Sequence, residues 1–429
     1  MEINEVRLNT HQQHLESLVM FGEEGLQEIN YKLDNFIRSF DDVAEPLNIG
    51  TKIDGAPAVQ IYSDIGDNYP KNSIGLKSVI SSPKNAISSP DQIDSKYNER
   101  PGMSEMLKYC LKLAPCIPKG EIWQGDCLFT KNSKSEVKLH GQLCIIFQPN
   151  KVVYSFSEQN PDYGKINSAD FGICFHTIYR VKDGNLSQSF NVDLTRLKNY
   201  PENFYIMKPI VKVASTGFDT TEARSNYQKL IKDENNLIGN KAYEDLTNNE
   251  QFLKFWSMFE NKVTSDKASQ YINENTFFNE LKSFIEEKMD NYYNTKLSKL
   301  KTDRGKQKAT DEYQSQLQEL ESLLENNKST LSACVQVFND VVKLKSAIFN
   351  HLKASGKDYN TYLYKANGEY EPTSGEGFSM SDQEGNIVKI VDRSEFSHAN
   401  RSKEYLSGFE HESLQQESLD DESHFDFDD

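Results

Sequence analysis

The stretch Thr51-Lys52-Ile53-Asp54-Gly55-Ala56-Pro57-Ala58-Val59 decides how the rest of this chain is read. It sets a lysine two residues before an acid and a glycine, and an apolar run, Ala58 to Tyr62, follows with the pattern of a strand. Glycine at such a turn lets a ligand come close to the backbone. A lysine there acts as a nucleophile once its amine is neutral, a form favoured by desolvation and by neighbouring cations. Lys-x-Asp-Gly is also a common surface turn, so Lys52 has to be weighed against the rest of the chain.

Outward from this point the pattern changes twice. Up to about residue 215, helical spacing over His14 to Phe40 gives way to short strand candidates: Ser73 to Ile80, Ile122 to Phe129, Gln142 to Phe147, Lys151 to Phe156 and Gly172 to Tyr179. From about Thr220 to Lys353 proline disappears and helix formers dominate. Strand patterns return at Thr361 to Tyr364, Gly377 to Met380 and Asn386 to Val391. The expected organisation is a sheet-rich core in two parts, 1–215 and 356–403, interrupted by a helical insertion at 216–355 and followed by an acidic, disordered tail at 404–429. The fold class is α+β.

The 429 residues are 37% hydrophobic and 11% aromatic, enough for a sizeable core, which excludes a wholly disordered chain. No apolar run reaches the ~18 residues of a membrane span, and the N-terminus lacks a signal-peptide pattern, so a soluble, cytoplasmic protein is expected. Net charge is −17, but Glu404 to Asp429 holds ten acids and no Lys or Arg. Without that tail the balance is 48 basic against 55 acidic side chains, which argues against wholesale nucleic-acid coating and leaves room for a local basic groove. Six cysteines without a CxxC pair read as reduced, buried thiols.

Companions to Lys52 follow in order: Gly120-Glu121 through Gly125-Asp126 to Phe129, then Gly172 to Thr177 with Phe175, then Gly375-Glu376-Gly377-Phe378, then Ile387-Val388-Lys389-Ile390-Val391-Asp392-Arg393. This series resembles the covalent nucleotidyltransferase superfamily of ATP-dependent DNA ligases, RNA ligases and messenger-RNA capping enzymes. The strings KIDGAPA, QGDCLFT, IIFQPN, GICFHTIY and KIVDRSEFSHAN further resemble an uncharacterised ligase-like family of tailed phages. The resemblance implies an antiparallel-sheet, ATP-grasp-like adenylation core, a phage protein of the host cytoplasm, ATP as substrate, and Mg²⁺ or Mn²⁺ as metal. It implies that Lys52 is the residue that takes up AMP, that Asp54 and Gly55 order the lysine or the nucleotide, and that Phe175 stacks on the purine. Glu376 holds the metal, and Lys389 contacts the α-phosphate and lowers the Lys52 pKa. Two acids compete for the third motif. Glu121 and Asp126 lie five positions apart, so a strand aims them at opposite faces; Asp126, leading into Cys-Leu-Phe-Thr, is preferred for ribose or metal, with Glu121 as fallback. Lys77 is a further candidate phosphate contact. The chain departs from the family pattern at Val391, where a second lysine is usual, and Arg393 is the expected substitute cation.

Only 40 residues follow Lys389, too few for the C-terminal oligonucleotide-binding barrel of DNA ligases and capping enzymes. The compact RNA ligases resemble this layout, which points to RNA ends and nucleic-acid repair. Lys296 to Lys308 carries six basic residues and one acid, the best nucleic-acid contact in the sequence. Another acceptor (a DNA end, a cap or a protein) and a non-catalytic phage assembly protein with docking surfaces on the helices and tail remain the alternatives.

Overall fold

The computed structural model describes residues 13–41, 48–53, 55–76, 83–182, 185–209, 218–264, 270–354, 359–375, 377–381, 387–393 and 404–408. Its strands form three open, mainly antiparallel sheets, none closed into a barrel among the described residues. The first runs β1 (Gln13–His14), β15 (Ile387–Ile390), β14 (Phe378–Ser381), β2 (Asn48–Thr51). It ties the chain's beginning to its end, since Met380 pairs with Ile49 on one side and Val388 on the other. The second runs β10 (Asn185–Ser189), β9 (Phe171–Lys182), β5 (Glu121–Thr130), β3 (Ala58–Tyr62), β4 (Ser73–Gly75), with β11 (Phe204–Met207) parallel to β9. The third is β13 (Tyr370–Pro372), β12 (Asn360–Tyr364), β8 (Val152–Ser157), β7 (Gln142–Phe147), β6 (Lys134–Leu139).

Alternation along these strands decides which face is covered. Val59, Ile61, Trp123, Ile173 and Phe175 turn one face of the second sheet onto α2 (Pro90–Tyr97) and α3 (Pro101–Leu113), whose Ile93, Met106, Leu107 and Cys110 complete that core. Ser89 starts α2 with a capping box, accepting from the Gln92 backbone while the Gln92 side chain returns to the Ser89 N–H. The short α4 (Tyr163–Ser168) buries Ile166 with Phe147 and Phe156 of the third sheet.

The helical region does not stand apart from the sheets. Its helices are α5 (Thr220–Glu234), α6 (Lys241–Thr247), α7 (Glu250–Thr264), α8 (Phe277–Lys299), α9 (Asp303–Asn326) and α10 (Lys328–Ala354). They share one core with α1 (Gly22–Arg38) and with Phe378, Met380, Val388 and Ile390 of the first sheet. The reason lies in α10, whose buried residues, from Val335 and Val342 through Cys334 and Val341 to Val337 and Leu344, cover more than half of its circumference and therefore need partners on several sides.

Glu404 to Gly408, expected to belong to the disordered tail, are part of the fold. Tyr405 is buried, bridges to Lys365 and donates its hydroxyl to Glu371, while Lys365 pairs with both Glu371 and Glu404. Residues 409–429 lie outside the described residues.

Candidate functional site

Lys52 sits where the chain leaves the first sheet for the second. Its N–H donates to Gly377 O at 2.8 Å, extending the register in which Thr51 faces Phe378. Gly377 has to be glycine: φ is +115°, and a Cβ would lie 2.6 Å from Val391 Cγ1. Three residues on, Gly55 presses against the second sheet, where a Cβ would stand 2.5 Å from Asp126 Cβ and 2.7 Å from Cys127 O. Ala56 N then donates to Cys127 O, and Ala58 enters β3 directly opposite Asp126.

Lys389 occupies the same sheet as Lys52. It lies opposite Ser379 on β14 and His14 on β1. Val388 and Ile390 face the helical core, so alternation turns Lys389 to the other side, the side on which Gly377 and the in-register Lys52 lie. Strand geometry separates the two lysines by about 10 Å across the sheet and about 7 Å along it. Among the described residues Lys52 and Lys389 thus share a face of the first sheet, and Gly55 packs on Asp126 where the chain crosses to the second. Asp54, Lys77 and Glu376 lie outside the described residues.

Around Asp126 the second sheet carries a polar band between apolar ends. His176 Nε2 approaches Asp126 Oδ2 at 3.6 Å, and His176 Nδ1 meets Thr177 Oγ1 at 2.7 Å. Gln60 Nε2 and Tyr179 OH both donate to Gln124 Oε1 at 3.1 Å. Gln60 is 4% exposed and its Oε1 has no hydrogen-bond partner among the described residues. Alternation puts Gln60, Gln124, Asp126 and Tyr179 on this face, and the β5–β9 register shift between Gln124 and Gly125 adds His176 as the extra, bulged residue. Sequence reading gave His176, Gln60 and Gln124 no role at the site; the alternation of Trp123, Gly125 and Cys127 would have put Gln124 with Asp126, but a bulge has no sequence signal here.

Three expectations are corrected. Phe175 is fully buried in the α2–α3 core with Trp123 edge-on at 5.3 Å, on the face opposite Asp126, so no base can stack on it there. Glu121, the fallback acid, is a buried structural anchor: Trp123 Nε1 (3.0 Å), Arg180 Nε (3.0 Å) and Arg196 (2.7 Å) all donate to it. Burial pushes its carboxyl up, and those three donors outweigh burial and hold it below the usual range. Arg393 does not replace the missing lysine. Its guanidinium turns into the helical core, onto Glu16 at 3.4 Å, Glu260, and Asn261 at 2.5 Å, while Val391 is buried against Gly377.

All six cysteines are free thiols, and burial raises those of Cys127, Cys174 and Cys334. Among the described residues no group of three or more His, Cys, Asp or Glu converges as a metal site, and no helix is long and apolar enough to cross a membrane.

Fold and site together define an α+β protein in which a Lys-x-Asp-Gly segment links two antiparallel sheets. The chain belongs to a family of unknown function (DUF6267), whose profile matches residues 9–404. No curated protein and no solved structure matches it.

Proposed function

We propose that this protein is an ATP-dependent, RNA-ligase-like nucleotidyltransferase that adenylylates itself on Lys52 and passes the AMP to a 5′-phosphate end of nucleic acid. One observation carries the reading: Lys52 and Gly55 bridge the two sheets, with Lys389 on one side of the crossing and Asp126 on the other. Phosphoryl transfer asks mainly for positioning and charge neutralisation, which two cations and a carboxylate beside the crossing would supply. In the first step the neutral Lys52 amine forms a bond to the α-phosphorus. The bond to the bridging oxygen breaks, pyrophosphate leaves with the electron pair, and the amine proton goes to solvent. His176, on the Asp126 face, is the ring that takes the base-stacking role expected of Phe175. Asp126, one-fifth exposed and touched by His176, offers the hard oxygen donor that Mg²⁺ or Mn²⁺ takes, and such an ion, when bound, neutralises the phosphates.

The acceptor reading rests on the α8–α9 hairpin. Buried residues of α8 end at Met289, and beyond it Lys299, Lys301, Arg304, Lys306 and Lys308 are exposed around the tip, beside Tyr292, 70% exposed. Cations next to an exposed ring suit a polyanion whose bases stack. The burial of Val391 favours one rival, a non-catalytic protein that keeps the fold.

Intact mass after incubation with ATP and Mg²⁺ or Mn²⁺ separates these. The expected result is a gain of one AMP in the wild type and none in Lys52→Ala. A wild type that stays unmodified with both metals refutes the enzyme reading; a charged enzyme that fails to join 5′-phosphorylated RNA refutes the acceptor.

A further inference from the structure

The site that nothing above uses lies on the opposite edge of the first sheet. A cavity of about 400 Å³ opens between the N-terminal turn, α7 and the residues after β15. That volume falls in the range of small-molecule sites, roughly 300–1,000 Å³. Trp256, Met20, Phe21 and Leu253 supply apolar walls, and His14 and Asn261 are among its polar lining. Phe21 is 50% exposed, a large ring left beside an opening.

Two of the lining groups are unfinished. Trp256 is 2% exposed, yet its Nε1–H finds no acceptor among the described residues. His14 Nδ1 likewise has no partner among them. Burial, reinforced by Arg393, pushes the His14 pKa well down, so its imidazole is neutral and offers one donor and one acceptor. A buried indole N–H without a partner is destabilising, and two unmatched groups in one cavity point to something that completes them. The charges beside them are already balanced. Arg393 is held by Glu16, Glu260 and Asn261, and Lys345 by Glu16 at 2.5 Å. An ionic ligand would find its counter-charge taken. The chemistry that fits is neutral, planar and heteroaromatic, with an acceptor for Trp256 and an edge that pairs with a neutral imidazole.

We propose that this cavity is a binding site for a nucleobase, distinct from the Lys52 site. The base comes either from a free nucleoside or from an unpaired position in a strand, and both present the same face. The proposal holds whether or not Lys52 is adenylylated.

Calorimetric titration of the full chain with adenosine, guanosine, cytidine and uridine tests it. At least one nucleoside is expected to bind saturably. Ser257 also lines the cavity from α7, at an exposed position, and Ser257→Phe, which sets a ring at its mouth, is expected to weaken that binding by at least tenfold while leaving adenylylation of Lys52 unchanged. Phe21→Ala, a half-exposed position whose loss spares the core, is expected to weaken it several-fold. Displacement of the bound nucleoside by a short single-stranded oligoribonucleotide assigns the base to a strand, and no displacement assigns it to a free nucleoside; either result fits the site. No saturable binding by any of the four overturns the proposal. So does binding that survives both Ser257→Phe and Phe21→Ala, or binding lost with Asp126→Ala and retained in both cavity variants, which moves the ligand to the Lys52 site.

Discussion

Two acids five positions apart on β5 divide the labour at the residue scale. Asp126 keeps a carboxylate at the sheet crossing, whereas Glu121 is enclosed by Trp123 and two arginines. Asp126→Asn is therefore expected to lower AMP uptake at least tenfold with little change in melting temperature. Glu121→Gln is expected to do the reverse, because it removes the counter-charge of Arg180 and Arg196 and puts an amide NH₂ where an acceptor oxygen served three donors. Glu234 gives a second test at this scale. Burial pushes its carboxyl from an ordinary 4.5 to about 7, although Asn30 donates to Oε2 at 2.6 Å and opposes the rise. A raised carboxyl favours the protonated form in the folded state, so stability is full below the unfolded value and falls as pH climbs through the folded one. The loss accumulates between pH 4.5 and about 7 and reaches roughly 3 kcal/mol. Denaturant titrations from pH 4.5 to 8 should show this decline in the wild type and a flatter profile in Glu234→Gln.

Elements carry the acceptor question. In the α8–α9 hairpin Tyr293 stacks on Tyr313 at 4.5 Å, and Lys296 pairs with Glu312 at 2.7 Å, which holds the two helices together below the tip. The triple change Lys299→Glu, Lys301→Glu, Arg304→Glu lies beyond those contacts. It is expected to weaken single-stranded RNA binding at least tenfold and to flatten its salt dependence, while AMP uptake by Lys52 stays intact. Unchanged RNA affinity would remove the hairpin from the acceptor path. What the sequence disclosed about these elements follows their physics. Short apolar runs located the β5, β7 and β9 strands, which are covered on both faces, and helical spacing located the α8 and α9 helices, each with one covered face. The bulge at His176 was hidden, since one inserted residue rotates a side chain without changing composition, and Phe175 was assigned to the face that the register denies it. Arg393 was misplaced for a related reason: β15 stops at Ile390, so strand alternation no longer governs where residue 393 points.

For the whole molecule, the buried charge cluster is where the separate lengths of chain become one body. Glu16 comes from the N-terminal turn, Glu260 from α7, Lys345 from α10 and Arg393 from beyond β15; all four are 6% exposed or less. Burial alone would push the Glu16 carboxyl up, but the Lys345 and Arg393 cations reverse this and hold it at about 2. Each ion depends on partners hundreds of positions away, so the cluster forms only when the helical region, the N-terminus and the returning strands are assembled together. Apolar replacement of one member strands its counter-charge in the interior, which costs about 3–5 kcal/mol. Lys345→Met is expected to destabilise by that amount, read from the midpoint of denaturant unfolding at an unchanged slope. Because the first sheet shares its apolar core with the helices, fluorescence from Trp256 in α7 and amide exchange at Met380 and Val388 are expected to report one transition in the variant as in the wild type. A helical transition that separates from loss of protection in β14 and β15 would mean that the insertion folds on its own, and that the cluster joins two bodies rather than completing one.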